Sequence, residues 1–436
     1  MRTMRAVHGR QVFDSRGRPT VEVEVRLDDG TVARASVPSG ASTGTNEAHE
    51  LRDGDDSQFK GLGVMSAANH VDREISPALA GHDVLDQSGC DALLRKLDGT
   101  PNLARLGANA VLGTSLAVCR ASAAASKQPL YRRIADLAGI DLPQLPMPMV
   151  NILSGGLHAG RGMDVQDFLA VPVSATNMLD AIRLVGEVRD AATQVCVERG
   201  LPTLLADEGG LSPGCETGRE ALELLVASVE RAGLAPGADI AIAIDVAATS
   251  LYDAASGVYQ LRREGRSAST EDMIEMISSW VDDYPVISVE DALDEEDWGG
   301  WRTLTEKLGS RVRLIGDDLF TTNSERLSRG IAAGCANGVL VKVNQNGTLT
   351  GTLDFIAAAR RAGYAPVVSA RSGETEDDFL ADLAVGTAAG QIKVGSVRSS
   401  ERLAKYNQLV RIAEDASLGF SPIVLPTGSH LQGLSR

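Results

Sequence analysis

The chain has 436 residues, of which 43% are hydrophobic and 23% are charged, and its formal net charge at pH 7 is −16. This length exceeds the usual size of one hydrophobic core, which predicts two domains or a barrel with an appended module. The negative charge disfavours nucleic acid and anionic membrane surfaces as partners, although a local basic pocket could still bind a small anion.

Cysteine spacing and apolar runs indicate the compartment. The five cysteines are scattered and show no CxxC spacing, which predicts neither a disulfide framework nor a zinc site. The N-terminus lacks the apolar core of a signal peptide, and no run of about 18 apolar residues occurs. We therefore expect a cytoplasmic protein without a membrane segment.

The N-terminal part begins with a hairpin pattern. From Thr20, the stretch TVEVEVRLDDGTVARASV alternates apolar and charged residues on both sides of a turn at Asp28-Asp29-Gly30, which predicts two antiparallel strands with one wet face. A Gly/Ser/Thr-rich loop, 36–46, is expected to move or to wrap a ligand. Helical stretches such as LGANAVLGTSLAVCRASAAAS complete a predicted α+β domain over residues 1–135, and the prolines of LPQLPMPMV indicate a linker.

The second part, residues 145–436, alternates short apolar runs with helical segments. Its runs end 45, 27, 25, 28 and 23 residues apart, at Asp245, Glu290, Asp317, Lys342, Ala370 and Lys393. These steps fit strand-plus-helix units and predict a β/α barrel, in which catalytic residues lie at the C-terminal ends of the strands. One charged residue after a strand usually only begins a loop, but three carboxylates and two lysines at successive ends predict a shared mouth.

The charged residues at this mouth suggest a reaction. Asp245, Glu290 and Asp317 offer oxygen ligands that suit a hard octahedral cation such as Mg²⁺ better than zinc. Lys342 and Lys393 would lie across the same opening, and a partly desolvated lysine beside a cation can act as a base. A cation facing a basic lysine is what removal of a proton α to a carboxylate requires.

Two further segments supply candidate acids. GGLHAGRGMDVQDF contains His158, Gln166 and Asp167, and LLADEGGLSP contains Glu208 before a Gly-Gly turn. A carboxylic acid near the β-carbon could protonate a departing hydroxide. Each motif taken alone is more often a solvated turn.

Segments along nearly the whole chain resemble the enolase (phosphopyruvate hydratase) family. They are, in family order, FDSRGRPTVEVEV, VPSGASTGTNEA, HAG, DEGG, IDVAA, VED, GDDLFTTN, KVNQNGTLT, SARSGETED, QIKVG and RSSERLAKYNQLVRI. The resemblance implies an N-terminal α+β domain capping a modified TIM-like barrel, a homodimer or higher homo-oligomer, and two Mg²⁺ ions per site.

The resemblance also implies roles for the metal ligands and the base. By position, Asp245, Glu290 and Asp317 match the ligands of the first metal. Ser39 matches the residue that contacts the second metal, and Lys342 matches the base that takes the α-proton.

The substrate-facing residues follow from the same comparison. Glu208 matches the acid acting on the leaving hydroxide, and Lys393 matches the group that holds the substrate carboxylate. His158, Arg371 and Ser372 match residues around the phosphate. The expected substrate is a small anionic phosphorylated or phosphono carboxylate.

Some positions depart from the family pattern. Ala370 stands where the family normally has histidine, beside the phosphate and the leaving group, and Leu157 replaces a usual serine. Gln166-Asp167-Phe168 replaces Gln-Glu-Phe, which shortens a catalytic glutamate by one methylene. A lost charge-assisted hydrogen bond costs about 1.5–3 kcal/mol, and a carboxylate misplaced by ~1 Å costs on the order of a hundredfold. We therefore expect 2-phosphoglycerate turnover to fall by roughly three to four decades.

The chain retains the metal ligands and both lysines, which favours a dehydratase. The smaller residue near the phosphate favours a 2-phosphoglycerate analogue with a larger substituent on phosphorus as its substrate. Enolase relatives that make carboxyphosphonoenolpyruvate in phosphonate-antibiotic pathways fit this description. The first alternative is a glycolytic enolase in which water fills the space at Ala370. An inactive enolase-fold scaffold is the second, and a superfamily enzyme for sugar acids is disfavoured because SGASTG and RSSERLAKYNQL resemble enolase proper.

Overall fold

The computed structural model describes residues 2–40, 46–421, 426 and 428–429. Residues 41–45 of the loop expected to wrap a ligand therefore lie outside the described part. An antiparallel sheet opens the chain, with strands in the order β1 (Met4–Phe13), β2 (Pro19–Leu27) and β3 (Val32–Ser36). The predicted hairpin corresponds to β2 and β3, whereas β1 was not predicted from its sequence.

Helices cover one face of this sheet. They are α1 (Met65–His70), which continues through a π-helical turn into α2 (Ser76–Leu79), then α3 (Gln87–Asp98), α4 (Ala108–Ser126) and α5 (Leu130–Ala138). The alanine-rich α4 is buried along most of its length. Gly113 lets it approach the sheet, since a Cβ there would lie 2.7 Å from the Val23 Cγ2 atom. This close contact explains why a helix of small residues packs here.

The second part is a closed eight-stranded barrel surrounded by helices. Its first strands and the accessory strands beside them are β4 (Gln144–Leu145), β5 (Met147–Ser154), β6 (Asp167–Val171), β7 (Ala241–Asp245), β8 (Tyr252–Asp253), β9 (Val258–Leu261) and β10 (Arg266–Ala268). The remaining strands are β11 (Val286–Glu290), β12 (Arg313–Gly316), β13 (Gly338–Val341), β14 (Ala365–Ser369), β15 (Gln391–Gly395) and β16 (Gly419–Phe420).

The barrel closes in the order β11-β12-β13-β14-β15-β5-β6-β7. Strand β6 runs antiparallel to both β5 and β7, while the other neighbours are parallel. The barrel is therefore a modified one, as expected. The helices are α6 (Met178–Glu198), α7 (Gly218–Arg231), α8 (Thr270–Asp283), α9 (Trp298–Leu308), α10 (Ser324–Ala333), α11 (Val343–Asn346), α12 (Leu349–Arg361), α13 (Phe379–Gly386) and α14 (Ser400–Ile412).

The proline-rich segment LPQLPMPMV is only in part a connection. Strand β4 within it pairs with β16, and β5 begins at Met147 and is buried along its whole length. Pro148 lies in the barrel wall opposite Ile392. The linker prediction was therefore wrong for the second half of this segment, because burial of the apolar residues outweighs the loss of one N–H donor.

Apolar side chains fill the inside of the barrel. Those buried in its interior come from alternating positions of the strands and include Met147, Met149, Leu169, Val171, Ile287, Ile315, Leu340 and Val367. The interior is thus packed, which leaves the strand ends as the place where polar groups gather. Among the described residues, no helix combines the length and apolar character needed to cross a bilayer.

Candidate active site

The C-terminal strand ends bring the predicted charged residues to one mouth. Asp245 and Glu290 are the last residues of β7 and β11, and Asp317 and Lys342 directly follow β12 and β13. Lys393 is not at the end of its strand, because β15 continues for two further residues. Its long side chain nevertheless reaches the carboxylates at the ends of β7 and β11.

A cavity of about 290 Å³ opens at this mouth. Most of the predicted site residues line it, namely His158, Gln166, Glu208, Asp245, Asp317, Lys342, Ala370, Arg371, Ser372 and Lys393. The other predicted residues, Ser39, Asp167 and Glu290, are buried but are not part of the lining. The structure therefore places most of the predicted site residues in the cavity lining, and three of them outside it.

Lys393 lies between two of the predicted metal ligands. Its Nζ atom is 2.6 Å from Asp245 Oδ2 and 2.7 Å from Glu290 Oε2. Burial lowers the pKa of Lys393, but the charges of these two carboxylates outweigh burial and raise the pKa well above its usual value. Gln166 Nε2 also donates to Asp245 Oδ2, at 3.0 Å. The ammonium group of Lys393 therefore remains charged.

Lys342, the predicted base, contacts Asp317. Its Nζ atom donates to Asp317 Oδ2, and Gln345 Nε2 donates to Asp317 Oδ1 at 2.9 Å. Burial lowers the pKa of Lys342, yet the charge of Asp317 outweighs this effect and the net shift is upward. The lysine is thus protonated in this arrangement, so it can act as a base only when Asp317 is engaged by another cation.

Three aspartates at the mouth could together hold a metal ion. Oxygen atoms of Asp291, Asp317 and Asp318 lie within 4.8 Å of one another. Among the described residues this trio is the one acidic group whose ligand atoms come this close, while Lys393 bridges Asp245 and Glu290 of the predicted set. Burial and the charge of Asp317 raise the pKa of Asp318 to about 7.

The donor set fits a hard divalent cation such as Mg²⁺. All of the acidic groups at the mouth offer carboxylate oxygen, which is the ligand type that Mg²⁺ prefers. Burial and then the charge of Asp245 raise the pKa of Glu290 well above its usual value, even though Lys393 lies beside it. The carboxylates at the mouth thus carry more negative charge than the two lysines neutralise. The residues that would hold the ion are Asp245, Glu290 and Asp317, together with the neighbouring Asp291 and Asp318.

His158 links the two candidate acids. Its Nε2 atom is 3.2 Å from Asp167 Oδ1, and its Nδ1 atom is 3.9 Å from Glu208 Oε1. Burial lowers the pKa of His158, but Asp167 and Glu208 outweigh burial and raise it to about 9. Burial raises the pKa of Glu208, and the charges of His158 and Arg402 more than reverse this shift. The imidazole is therefore the proton carrier of this group.

Asp167 supports His158 from behind the cavity. Its Oδ1 atom accepts from Ser154 Oγ at 2.7 Å, and its Oδ2 atom has no partner among the described residues. Burial raises the pKa of Asp167 and His158 opposes the shift without cancelling it. The shorter side chain thus lies against the imidazole and does not line the cavity.

The loop after β14 forms one side of the cavity, where the resemblance predicts the phosphate. Ala370 forms part of its wall, and its backbone N–H donates to the Lys393 carbonyl at 2.9 Å. The next residue, Arg371, is buried and donates to Glu47 Oε2 and Asn344 Oδ1, both at 3.0 Å. A buried guanidinium that is already paired with Glu47 thus adjoins a residue whose side chain is only a methyl group.

Ser39, the residue matched to the second metal, lies in a polar cluster of the N-terminal domain. Its hydroxyl donates to Glu50 Oε2 at 3.1 Å and accepts from Arg52 at 2.9 Å. Its backbone pairs with Gly373, whose missing Cβ makes room for the side chain of Arg16. Ser39 therefore lies next to the loop after β14 and within an ion-pair cluster, and its contact with a second metal stays a prediction.

Sequence reasoning missed several residues that the structure places at the site. They are Asp291 and Asp318 of the aspartate trio, Gln345 beside Asp317, and Glu47 and Asn344 around Arg371. The doublets VED and GDD signalled the two aspartates, since each follows a strand-end carboxylate. Glu47 gave no such signal, because it comes from the N-terminal domain.

Family models cover almost the whole chain. The model described as the enolase N-terminal domain matches residues 4–134, and the model described as the enolase C-terminal TIM barrel domain matches residues 143–420. The chain belongs to the enolase family. Membership makes it an enolase-superfamily lyase with an N-terminal α+β domain and a TIM-type barrel, and enolases generally bind Mg²⁺.

Proposed function

We propose that this enolase-family protein is a Mg²⁺-dependent dehydratase. It removes the α-proton of a 2-phosphoglycerate-like carboxylate and eliminates water to give an enolpyruvyl product. The support is a cavity that faces carboxylate ligands, two lysines and a histidine-linked acid group at one mouth. Each of these groups is needed for a different part of the same elimination.

The side chains divide the reaction between them. Lys342 accepts the proton from the α-carbon, and Lys393 with Arg371 holds the negative charges of the substrate. The bound cation supplies charge stabilisation for the substrate carboxylate as the α-carbon loses its proton. The electron pair of the broken C–H bond forms the α,β double bond, which breaks the bond between the β-carbon and its hydroxyl.

The departing hydroxide takes a proton from the His158 group. His158 is protonated at neutral pH, because its pKa is raised to about 9, and Glu208 lies beside its Nδ1 atom. Transfer of that proton through Glu208 releases water and leaves the imidazole neutral. Asp167 keeps the ring oriented from the buried side.

The favoured substrate is an analogue with a larger substituent on phosphorus, as for carboxyphosphonoenolpyruvate synthase in phosphonate and phosphinate antibiotic biosynthesis. The observation that carries this choice is Ala370 in the cavity wall next to Arg371. A methyl group there leaves volume beside the anion-binding arginine.

The test compares 2-phosphoglycerate turnover in Mg²⁺ for the wild-type protein, Ala370→His and Ala370→Leu. We expect wild-type turnover to lie roughly three to four decades below that of an ordinary enolase. Ala370→His should recover at least tenfold because it restores a donor to the phosphate. Ala370→Leu fills similar volume without a donor and should recover nothing.

The alternative is glycolytic enolase activity, which the complete set of metal ligands and lysines also supports. Wild-type turnover within about tenfold of an ordinary enolase would establish it and overturn the altered substrate. Absence of elimination from both 2-phosphoglycerate and carboxyphosphonate analogues, with Mg²⁺ bound, would instead leave the inactive scaffold.

We also propose that the protein is a cytoplasmic homodimer. Phe13 and Val32 are 55% and 53% exposed, and both line a groove of about 1020 Å³ between the N-terminal sheet and the loop after β14. A second copy would cover these apolar side chains. Sedimentation equilibrium measures the mass, and a monomer at micromolar concentration would contradict this proposal.

A further inference from the structure

A second cavity lies beside the catalytic one. Its volume is about 460 Å³, and it lies between the loop before β6 and the small sheet of β8, β9 and β10. The residues that matter for its chemistry are Leu157, Arg161, Ser250, Tyr252, Arg262 and Arg263. None of these has a part in the reaction described above.

The two cavities share part of their walls. Leu157 and Ser250 line both of them, and Leu157 is 41% exposed. Leu157 also directly precedes His158, which faces the leaving group. A substrate group that extends past Leu157 therefore leaves the catalytic cavity and enters the second one.

The second cavity, here called the arginine cavity, offers positive charge without a fixed partner. Arg161 and Arg262 form no side-chain hydrogen bond or ion pair within the described chain, whereas Arg263 donates to the Gly214 carbonyl at 3.0 Å. Both guanidinium groups are exposed and border the same concave surface. Guanidinium groups bind carboxylate and phosphate in a bidentate manner.

The acidic groups of the arginine cavity already have partners. Asp164 accepts from the backbone N–H groups of Arg263 and Glu264, and Asp253 accepts from Ala255 N–H and from the Ser256 hydroxyl. Both carboxylates are thus used to hold turns. They do not compete for Arg161 and Arg262.

We propose that the arginine cavity is a subsite for a second anionic group of the substrate, carried beyond phosphorus and held by Arg161 and Arg262. This inference rests on the proposed function and narrows its substrate to a compound with two separated anionic ends. A free anion such as inorganic phosphate has the same chemistry, but the shared wall at Leu157 favours a group attached to the substrate.

The experiment measures binding by calorimetry, in Mg²⁺, of methylphosphonate, phosphonoformate, phosphonoacetate and 3-phosphonopropionate. The last three carry a carboxylate at increasing distance from phosphorus. We expect Arg161→Ala/Arg262→Ala to weaken at least one of these three by tenfold or more and to change methylphosphonate binding less than twofold. The matched control, Arg73→Ala/Arg302→Ala, removes the same charge from exposed helix positions and should change neither.

Several outcomes would overturn the subsite. If the variant lost equal affinity for methylphosphonate and for the diacids, the arginines would act only through their long-range positive charge. If its affinity for the diacids were unchanged, the arginines would not bind the second anionic group. Phosphate binding that depends on Arg161 and Arg262 but is not displaced by any diacid would indicate a separate anion site.

The results also separate this inference from the proposed function. Elimination activity with unchanged diacid binding defeats the subsite alone. Arginine-dependent diacid binding without any elimination activity defeats the dehydratase and leaves the subsite in place. Because both arginines are exposed, the variant is expected to fold, and circular dichroism checks this.

Discussion

At the scale of single residues, one buried guanidinium fixes the loop that carries the altered position. Arg402, on α14, is fully buried and donates to the carbonyls of Arg371 and Ser372, both at 2.7 Å, and to that of Val394 at 2.9 Å. It therefore joins the loop after β14 to the end of β15. Arg402 does not line the cavity, so it acts by positioning its neighbours.

We predict that Arg402→Lys lowers the free energy of unfolding by about 2–4 kcal/mol, because an ammonium group cannot satisfy three buried carbonyls in the same geometry. It should also raise KM more than it lowers kcat, since the loop holds Arg371. Urea unfolding and steady-state kinetics measure the two effects. Arg411→Ala on the exposed face of α14 is the control, and equal behaviour of both variants would refute the positioning role.

At the scale of elements, α13 carries a buried carboxyl group whose pKa lies well above its usual value. Asp382 accepts from Tyr131 N–H and from Gln408 Nε2, both at 3.0 Å, and burial raises its pKa to about 7. The raised pKa means that the folded state binds this proton more tightly than the unfolded chain. The stability that the proton contributes is complete below about pH 4 and is lost as the pH rises through 7.

We predict that Asp382→Asn becomes progressively more stable than the wild type as the pH rises from about 4 to 7, and that the difference levels off above pH 7. The amide keeps an acceptor for Tyr131 and carries no charge, so the difference should approach about 4 kcal/mol at most. Unfolding by urea at several pH values measures it. Asp354→Asn, at an exposed position of α12, should show no such trend, and a difference for Asp382→Asn that does not vary with pH would contradict the assignment.

The elements of the barrel show how far the sequence alone could be used. The ends of β7, β11, β12, β13 and β14 could be predicted, because buried parallel strands are apolar runs and a polar residue follows each run. The antiparallel direction of β6 could not be predicted, since direction depends on how the strand pairs with β5 and β7. The start of β5 was missed because it holds Pro148, and a proline-containing segment is more typical of a connection than of a strand.

The site was predictable to a different extent. Residues that the strand ends carry to the mouth could be found by spacing, since the barrel fixes where a strand end lies. The partner of Arg371 could not, because Glu47 comes from the N-terminal domain and meets Arg371 only through packing of the two domains. Which distant residues form an ion pair cannot be inferred from the periodicity of the sequence.

At the scale of the whole molecule, the mouth of the barrel holds a local excess of negative charge. Five carboxylates gather at the mouth of the barrel, at Asp245, Glu290, Asp291, Asp317 and Asp318. Lys342 and Lys393 balance part of this charge. A divalent cation would relieve the remaining repulsion, so its binding is coupled to the stability of the whole fold.

We predict that Mg²⁺ raises the stability of the protein in a concentration-dependent way, by about 2.7 kcal/mol at one hundred times its dissociation constant. Asp318→Asn should be more stable than the wild type in EDTA, by about 1–3 kcal/mol, because it removes one of three charges that lie within 4.8 Å of one another. The same variant should gain less stability from Mg²⁺.

Asp354→Asn is the control, because it changes the net charge equally at an exposed position and should behave as the wild type does. Thermal unfolding across a Mg²⁺ titration gives both quantities. An Asp318→Asn protein that is less stable in EDTA and gains as much from Mg²⁺ as the wild type would show that this carboxylate serves the fold and not the cation.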